Sequence, residues 1–193
     1  MTGHYVGNAI VFLVQAAFGL YLLAVMLRLL LGWIRADFHN PLSQFVVRLT
    51  NPLLLPLRRI IPGFGGIDVA AVVLLFLLQS GELFLIGLVI GSGYRASGIL
   101  IWTIAELLAL LLNIFLFSII AEAVLSWISQ GHNPISPLLR RLNYPLLAPL
   151  RRHIPTLSGL DFSPFVAILL IQLSAMLFVA PIRDLGQALA GGF

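Results

Sequence analysis

Asn40 to Pro62 reads NPLSQFVVRLTNPLLLPLRRIIP, and Asn133 to Pro155 reads NPISPLLRRLNYPLLAPLRRHIP. Laid over each other without a gap, fourteen of the twenty-three positions are identical, including the prolines at both ends and within the stretch, the double arginine and the closing Ile-Pro. The match continues outward. Gly32-Trp33-Ile34 answers Ser126-Trp127-Ile128, Gly66-Ile67-Asp68 answers Gly159-Leu160-Asp161, and Gln79 answers Gln172. A self-similarity of roughly ninety residues means two copies of one supersecondary unit packed on each other. The copies divide the chain into residues 1–97 and 98–193.

Between the copies of the motif lie long apolar runs. Hydrophobic residues make up 60% of the chain and charged residues 9%, and the mean hydropathy is +1.06. A chain of 193 residues cannot hide so much apolar surface inside a water-soluble globule, so its solvent is lipid. Cysteine is absent, which removes disulfides, thiolate metal sites and a cysteine nucleophile. The eleven basic residues are all arginine and give a net charge of +4. Because they flank apolar spans, they point to anionic headgroups rather than nucleic acid.

A transmembrane helix needs about 20 apolar residues. Four runs qualify, at about 6–31, 69–90, 98–128 and 164–182, with Pro181 expected to end the last. The first is longer than a signal-peptide core and is preceded by no arginine or lysine, so it is expected to stay as a span. The repeated motif fills the two long connections, at 40–62 and 133–155. Asn40 caps and Pro41 opens a helix there. Leu42, Phe45, Val46 and Leu49 fall at i, i+3, i+4 and i+7, opposite Ser43, Gln44 and Arg48, and Ile135, Leu138, Leu139 and Leu142 repeat this opposite Ser136, Arg140 and Arg141. Such a helix is amphipathic and lies in the interface. Pro52 and Pro56, like Pro145 and Pro149, are expected to break it into a short hairpin. The fold expected is an all-α membrane protein of four transmembrane helices in two parallel two-helix repeats, each with an interfacial amphipathic helical hairpin. Arg35, Arg48, Arg58, Arg59, Arg140, Arg141, Arg151 and Arg152 crowd these connections, so the positive-inside rule puts them in the cytoplasm and both termini outside.

Tryptophan, Asn-Pro, P-L-L-x-P-L-R-R-x-I-P and then Gly-x-Asp before a hydrophobic run, all present twice, resemble the YggT family of bacterial membrane proteins. Asp161-Phe162-Ser163-Pro164 matches that family's D-x-S-P, while Asp68-Val69-Ala70-Ala71 departs from it. The resemblance implies a multi-pass protein of the bacterial cytoplasmic (inner) membrane, with relatives associated with osmotic tolerance, division-linked gene clusters and, in plastids, cytochrome assembly.

Several groups are candidates for chemistry. Arg58, Arg59, Arg151 and Arg152 offer guanidinium forks to a phosphate on a lipid or a partner. Their plainer reading is a topology signal, with one arginine of each pair held by Asp68 or Asp161, the acids that start the second and fourth spans. Glu82 and Glu106 lie at one depth inside their spans, where a charged acid costs about 2.5–3.5 kcal/mol. They are candidates for a proton or cation site, or for interhelical glue with Gln79 or Asn113. Arg28 and Glu122 occupy equivalent places in the two repeats and are expected to form a structural ion pair between them. His39 and His132 also recur, and paired histidines can ligate haem or metal. Both, however, precede a helix cap without a carboxylate recurring at one spacing, so no metal or cofactor is assigned. Gly87-x-x-x-Gly91 permits close helix approach. No phosphate-binding glycine loop, nucleophile elbow or H-E-x-x-H is present. The role expected is therefore non-enzymatic: membrane or envelope organisation, complex assembly or osmotic homeostasis, with anionic headgroups, a membrane-protein partner or a homo-oligomer as partners. The alternative is an oligomeric ion or proton transporter or channel using Glu82 and Glu106.

Overall fold

A computed structural model describes residues 2–36, 40–128, 135–154 and 161–191. Their regular structure is helical: α1 (Thr2–Trp33), α2 (Pro41–Ile60), α3 (Val69–Ile90), α4 (Ala96–Ile128), α5 (Ser136–His153), α6 (Ser163–Ser174), a π-helical turn (Ala175–Val179) and α7 (Ala180–Ala190). Among the described residues, four stretches are long and apolar enough to cross a membrane: Tyr5–Trp33, Val69–Ile90, Ala96–Ser126 and Ser163–Ala190.

α3 packs between α1 and α4, and α4 in turn carries α6 and α7, with α2 and α5 laid against the ends. One apolar core runs through both repeats. Leu22, Val25 and Met26 of α1 meet Leu74 and Leu75 of α3, Ile114 and Ile119 of α4, and Leu54 and Leu147 from the two motif helices.

The motif stretches are not hairpins. α2 continues from Pro41 to Ile60 with Pro52 and Pro56 inside it, and α5 does the same with Pro145 and Pro149. The prolines of each helix are one turn apart and all four are exposed. The lost N–H groups and the ring clashes therefore fall on a single outer side, where a helix tolerates them by curving. A continuous α2 of 20 residues is about 30 Å long, so it is its polarity rather than its length that sets it apart from the four spans.

The face that α2 packs against the bundle is not its leucine-rich one. Ser43, Val46, Thr50 and Leu54 are buried, whereas Leu42, Phe45 and Leu49 are exposed. In α5 the buried row is Leu138, Leu142, Asn143 and Leu147, with Ile135 exposed. Each inner row thus mixes aliphatic side chains with polar ones, Ser43 and Thr50 in α2 and Asn143 in α5, which lipid does not solvate.

α6, the π turn and α7 form one continuous span through Pro181, which opens α7 rather than ending the helix. The Ala180 N–H bonds back to the Ala175 carbonyl, five residues away. This wider turn absorbs the proline that an α-helix would reject.

Tight backbone approaches set the remaining geometry. A Cβ on Gly98 would lie 2.0 Å from the Ala190 nitrogen, and one on Gly186 would lie 2.5 Å from the Trp102 nitrogen. α4 and α7 therefore cross backbone to backbone. Gly87 instead receives the Tyr94 ring, and Gly91 caps α3 with φ 72°, so that pair serves a turn and not a helix crossing. Between α2 and α3, Phe64 and Ile67 exchange both backbone hydrogen bonds across Gly65 and Gly66, whose φ values are 61° and 82°. Two consecutive positive φ values define a turn that glycine alone enters cheaply.

Candidate functional site

That glycine turn folds Asp68 back onto the end of α2. Arg58 Nη2 donates to Asp68 Oδ2 at 2.6 Å and its Nε to the same oxygen at 3.2 Å. Asp68 also caps α3, accepting the Ala71 N–H with its other oxygen at 3.3 Å. The second repeat does the same. Arg151 Nε donates to Asp161 Oδ2 at 2.8 Å, and Asp161 Oδ1 accepts the Ser163 N–H at 2.9 Å. Burial acts to raise the pKa of the Asp161 carboxyl, but Ser163 and the Arg151 guanidinium outweigh it and hold the group below its ordinary value. The neighbouring Arg59 and Arg152 are exposed. In each double arginine, the first residue fastens the motif helix to the next span and the second faces outward.

Around this fastening the two repeats diverge. Glu122 takes its described partners from its own repeat: Asn143 Nδ2 donates to Oε2 at 2.7 Å, and Arg151 Nη2 lies 3.8 Å from Oε1. Ser118 donates to the Asn143 side-chain oxygen. The result is a chain of contacts from Ser118 through Asn143, Glu122 and Arg151 to Asp161. Asn143 and Arg151 bring their donors to the Glu122 carboxylate from positions two turns apart on α5. Arg28 stands in its own repeat, in the wall of a cleft that it shares with Arg58 and Asp68. Arg141 bridges the repeats, donating to the Arg35 carbonyl at 3.3 Å. Arg35 itself sits at φ 49°, in the left-handed region that closes α1.

Glu82 and Glu106 lie on the packed helices α3 and α4. Their surroundings differ. Glu82 is 8% exposed and accepts from Gln79 Nε2 at 2.9 Å. Glu106 accepts from Trp102 Nε1 at 2.8 Å and from Arg183 Nη2 at 3.0 Å, and Arg183 Nε lies 2.8 Å from its other oxygen. Asn113 is exposed on α4. Trp102, Asn143, Ser118 and Arg183 are the partners that sequence reasoning missed. Arg183 was within reach of it: a span carried past Pro181 puts this arginine at the depth of Glu106.

The largest cleft described has a volume of about 850 Å³ and lies where α1, α3 and α4 face one another. Arg28, Arg58, Asp68 and Trp33 line its mouth, and Leu75, Phe76, Leu108, Leu111 and Phe115 line its body. His39 and His132 lie outside the described residues. Among those described, no three His, Cys, Asp or Glu side chains come together as a metal site.

Fold and site together define an α-helical, multi-pass membrane protein built from a duplicated helix–arginine–aspartate unit. The chain belongs to the CCB3/YggT family, whose family model matches it twice, at residues 7–89 and 101–182. It is 46% identical to the "Uncharacterized protein PA0392" of Pseudomonas aeruginosa over 175 residues, 89% of each chain. It is 38% identical to the "Uncharacterized protein YggT" of Escherichia coli strain K12 over 188 residues, 96% of this chain and 97% of that one. An uncharacterized protein of Haemophilus influenzae is 37% identical over 152 residues, covering 77% of this chain and 80% of that one. No solved structure matches the chain significantly.

Proposed function

We propose that the chain is a non-enzymatic component of the bacterial inner membrane that organises other membrane constituents, supporting envelope structure, complex assembly or osmotic homeostasis. One observation carries this reading. Twice, the same helix gives its first arginine to the aspartate that starts the next span and leaves the second, Arg59 or Arg152, exposed, with Ile60 exposed beside Arg59. A guanidinium at the edge of an apolar face suits a headgroup phosphate or an acidic segment of a partner. In this reading the repeats run parallel, α2 and α5 lie on the cytoplasmic surface, and both termini are outside, as the arginine distribution favours.

A second reading, an oligomeric ion or proton pathway, draws on the two acids inside spans, Glu82 and Glu106. Against it, Glu106 is neutralised by Arg183, Glu82 is packed against Gln79, and neither lines the 850 Å³ cleft. Potassium, sodium and proton flux in sealed liposomes decides between the two. The organising role expects flux no greater than in empty vesicles. Flux that a Glu82→Gln Glu106→Gln variant abolishes would replace it with transport.

A further inference from the structure

The cleft between the repeats has two chemically distinct ends. At its mouth, two guanidiniums, Arg28 and Arg58, face one carboxylate, Asp68, with Trp33 beside them. A smaller recess of about 370 Å³, lined by Arg28, Gln44, Val47 and Arg48, brings a further arginine to the same side. The body of the cleft is apolar and follows α4 from Phe115 to Ile104. Those eleven residues of rise cover about 16 Å, close to the depth of one leaflet of a hydrocarbon core about 30 Å thick. A basic mouth joined to an apolar trough one leaflet deep has the division of a phospholipid: phosphate at one end, acyl chain along the other.

The second repeat supplies an internal contrast. Its equivalent constellation has Glu122 where the first has Arg28, so Arg151 faces two carboxylates, Glu122 and Asp161. A phosphate is attracted to the first arrangement and repelled by the second. We propose that the cleft is a binding site for one anionic glycerophospholipid per chain, its phosphate against Arg28 and Arg58 and one acyl chain along α4. The inference rests on the organising role and gives that role a specific ligand. An acyl chain leaving bulk lipid for this trough gains no hydrophobic free energy, because lipid tails are as apolar as leucine. Selectivity therefore comes from the headgroup charge, and the site tolerates different chain lengths.

The test counts retained lipid. The purified full-length protein is equilibrated with vesicles of equal phosphatidylglycerol and phosphatidylcholine, extracted in mild detergent and examined by native mass spectrometry. One phosphatidylglycerol per chain is expected, at least tenfold over phosphatidylcholine. Arg28→Gln at the mouth and the cleft-filling Val72→Trp and Leu108→Trp should each lower its occupancy about tenfold, while Arg95→Gln, exposed between α3 and α4 and outside the cleft lining, keeps it. Equal retention of the two lipids, or occupancy unchanged by both tryptophans, overturns the site. Displacement by millimolar inorganic phosphate alone would show a free-anion site and overturn it too. The headgroup preference of the unmodified chain needs no variant, so a variant that fails to fold leaves the outcome decided. No retained lipid together with no ion flux removes this site and leaves the organising role standing, whereas flux through the unmodified chain removes that role.

Discussion

At the scale of single residues, charge in this protein is spent on fastening. Glu106 and Arg183 hold α4 to α7 inside a span, and Trp102 orients the carboxylate. Removing one partner leaves a charge that lipid cannot solvate, whereas removing both leaves two neutral groups. Arg183→Gln is therefore expected to cost about 2 kcal/mol, below the ~3–5 of a fully buried pair because both side chains are partly exposed. Adding Glu106→Gln should restore most of that loss, and a double-mutant cycle on thermal unfolding in detergent reads it. Asp161 gives a pH signature. Its carboxyl is held below its ordinary value although burial opposes this, since Ser163 and Arg151 favour the anion. A depressed folded-state pKa stabilises the protein above the unfolded value near 3.9 and loses that contribution as pH falls through the lower, folded value. The wild type should thus lose more stability between about pH 5 and pH 3 than Asp161→Asn does, measured as the difference in melting temperature across that window. These acids were legible as helix starters because capping is local. The arginines that answer them, ten residues before each acid, were legible only as candidates, because the pairing depends on the turn between.

At the scale of elements, α4 and α7 show what small residues do where lipid offers no hydrophobic drive. Gly98 and Gly186 let the two backbones touch, so packing and dispersion hold the crossing. A methyl at Gly98 would meet backbone atoms, which cannot swing aside as a side chain can. Gly98→Ala is expected to cost about 3 kcal/mol, the upper end of ordinary overpacking, while Gly19→Ala in α1, with open space around it, should leave the melting temperature unchanged. The motif helices carry the opposite lesson. Four prolines argued for hairpins, yet their one-turn spacing puts every backbone defect on one exposed side, and α2 and α5 run on. Proline content was readable in the chain. Which side those prolines would face was decided by the bundle, and with it whether they break the helix or only bend it.

At the scale of the whole molecule, the duplication is one body and not two. The core joins Leu22 and Val25 of the first repeat to Ile114, Ile119 and Leu147 of the second, so neither half can complete it alone. Residues 1–97 and 98–193 expressed separately are expected to be degraded, and to accumulate and co-purify when expressed together. Stable, independently folded halves would show that the shared core is dispensable. The sequence by itself determined the solvent, the four spans, the duplication and the acids that start α3 and α6, because hydrophobic run length and capping chemistry are written in neighbouring residues. Tertiary structure alone decided which face of α2 turns inward, that Arg183 answers Glu106, that Glu122 bonds within its own repeat and that a cleft opens beside Arg28 and Arg58. In lipid, an apolar side chain is equally at home on the outer and inner faces of a helix. Burial therefore leaves no hydrophobic pattern in the chain, and only the packed helices reveal which residues meet.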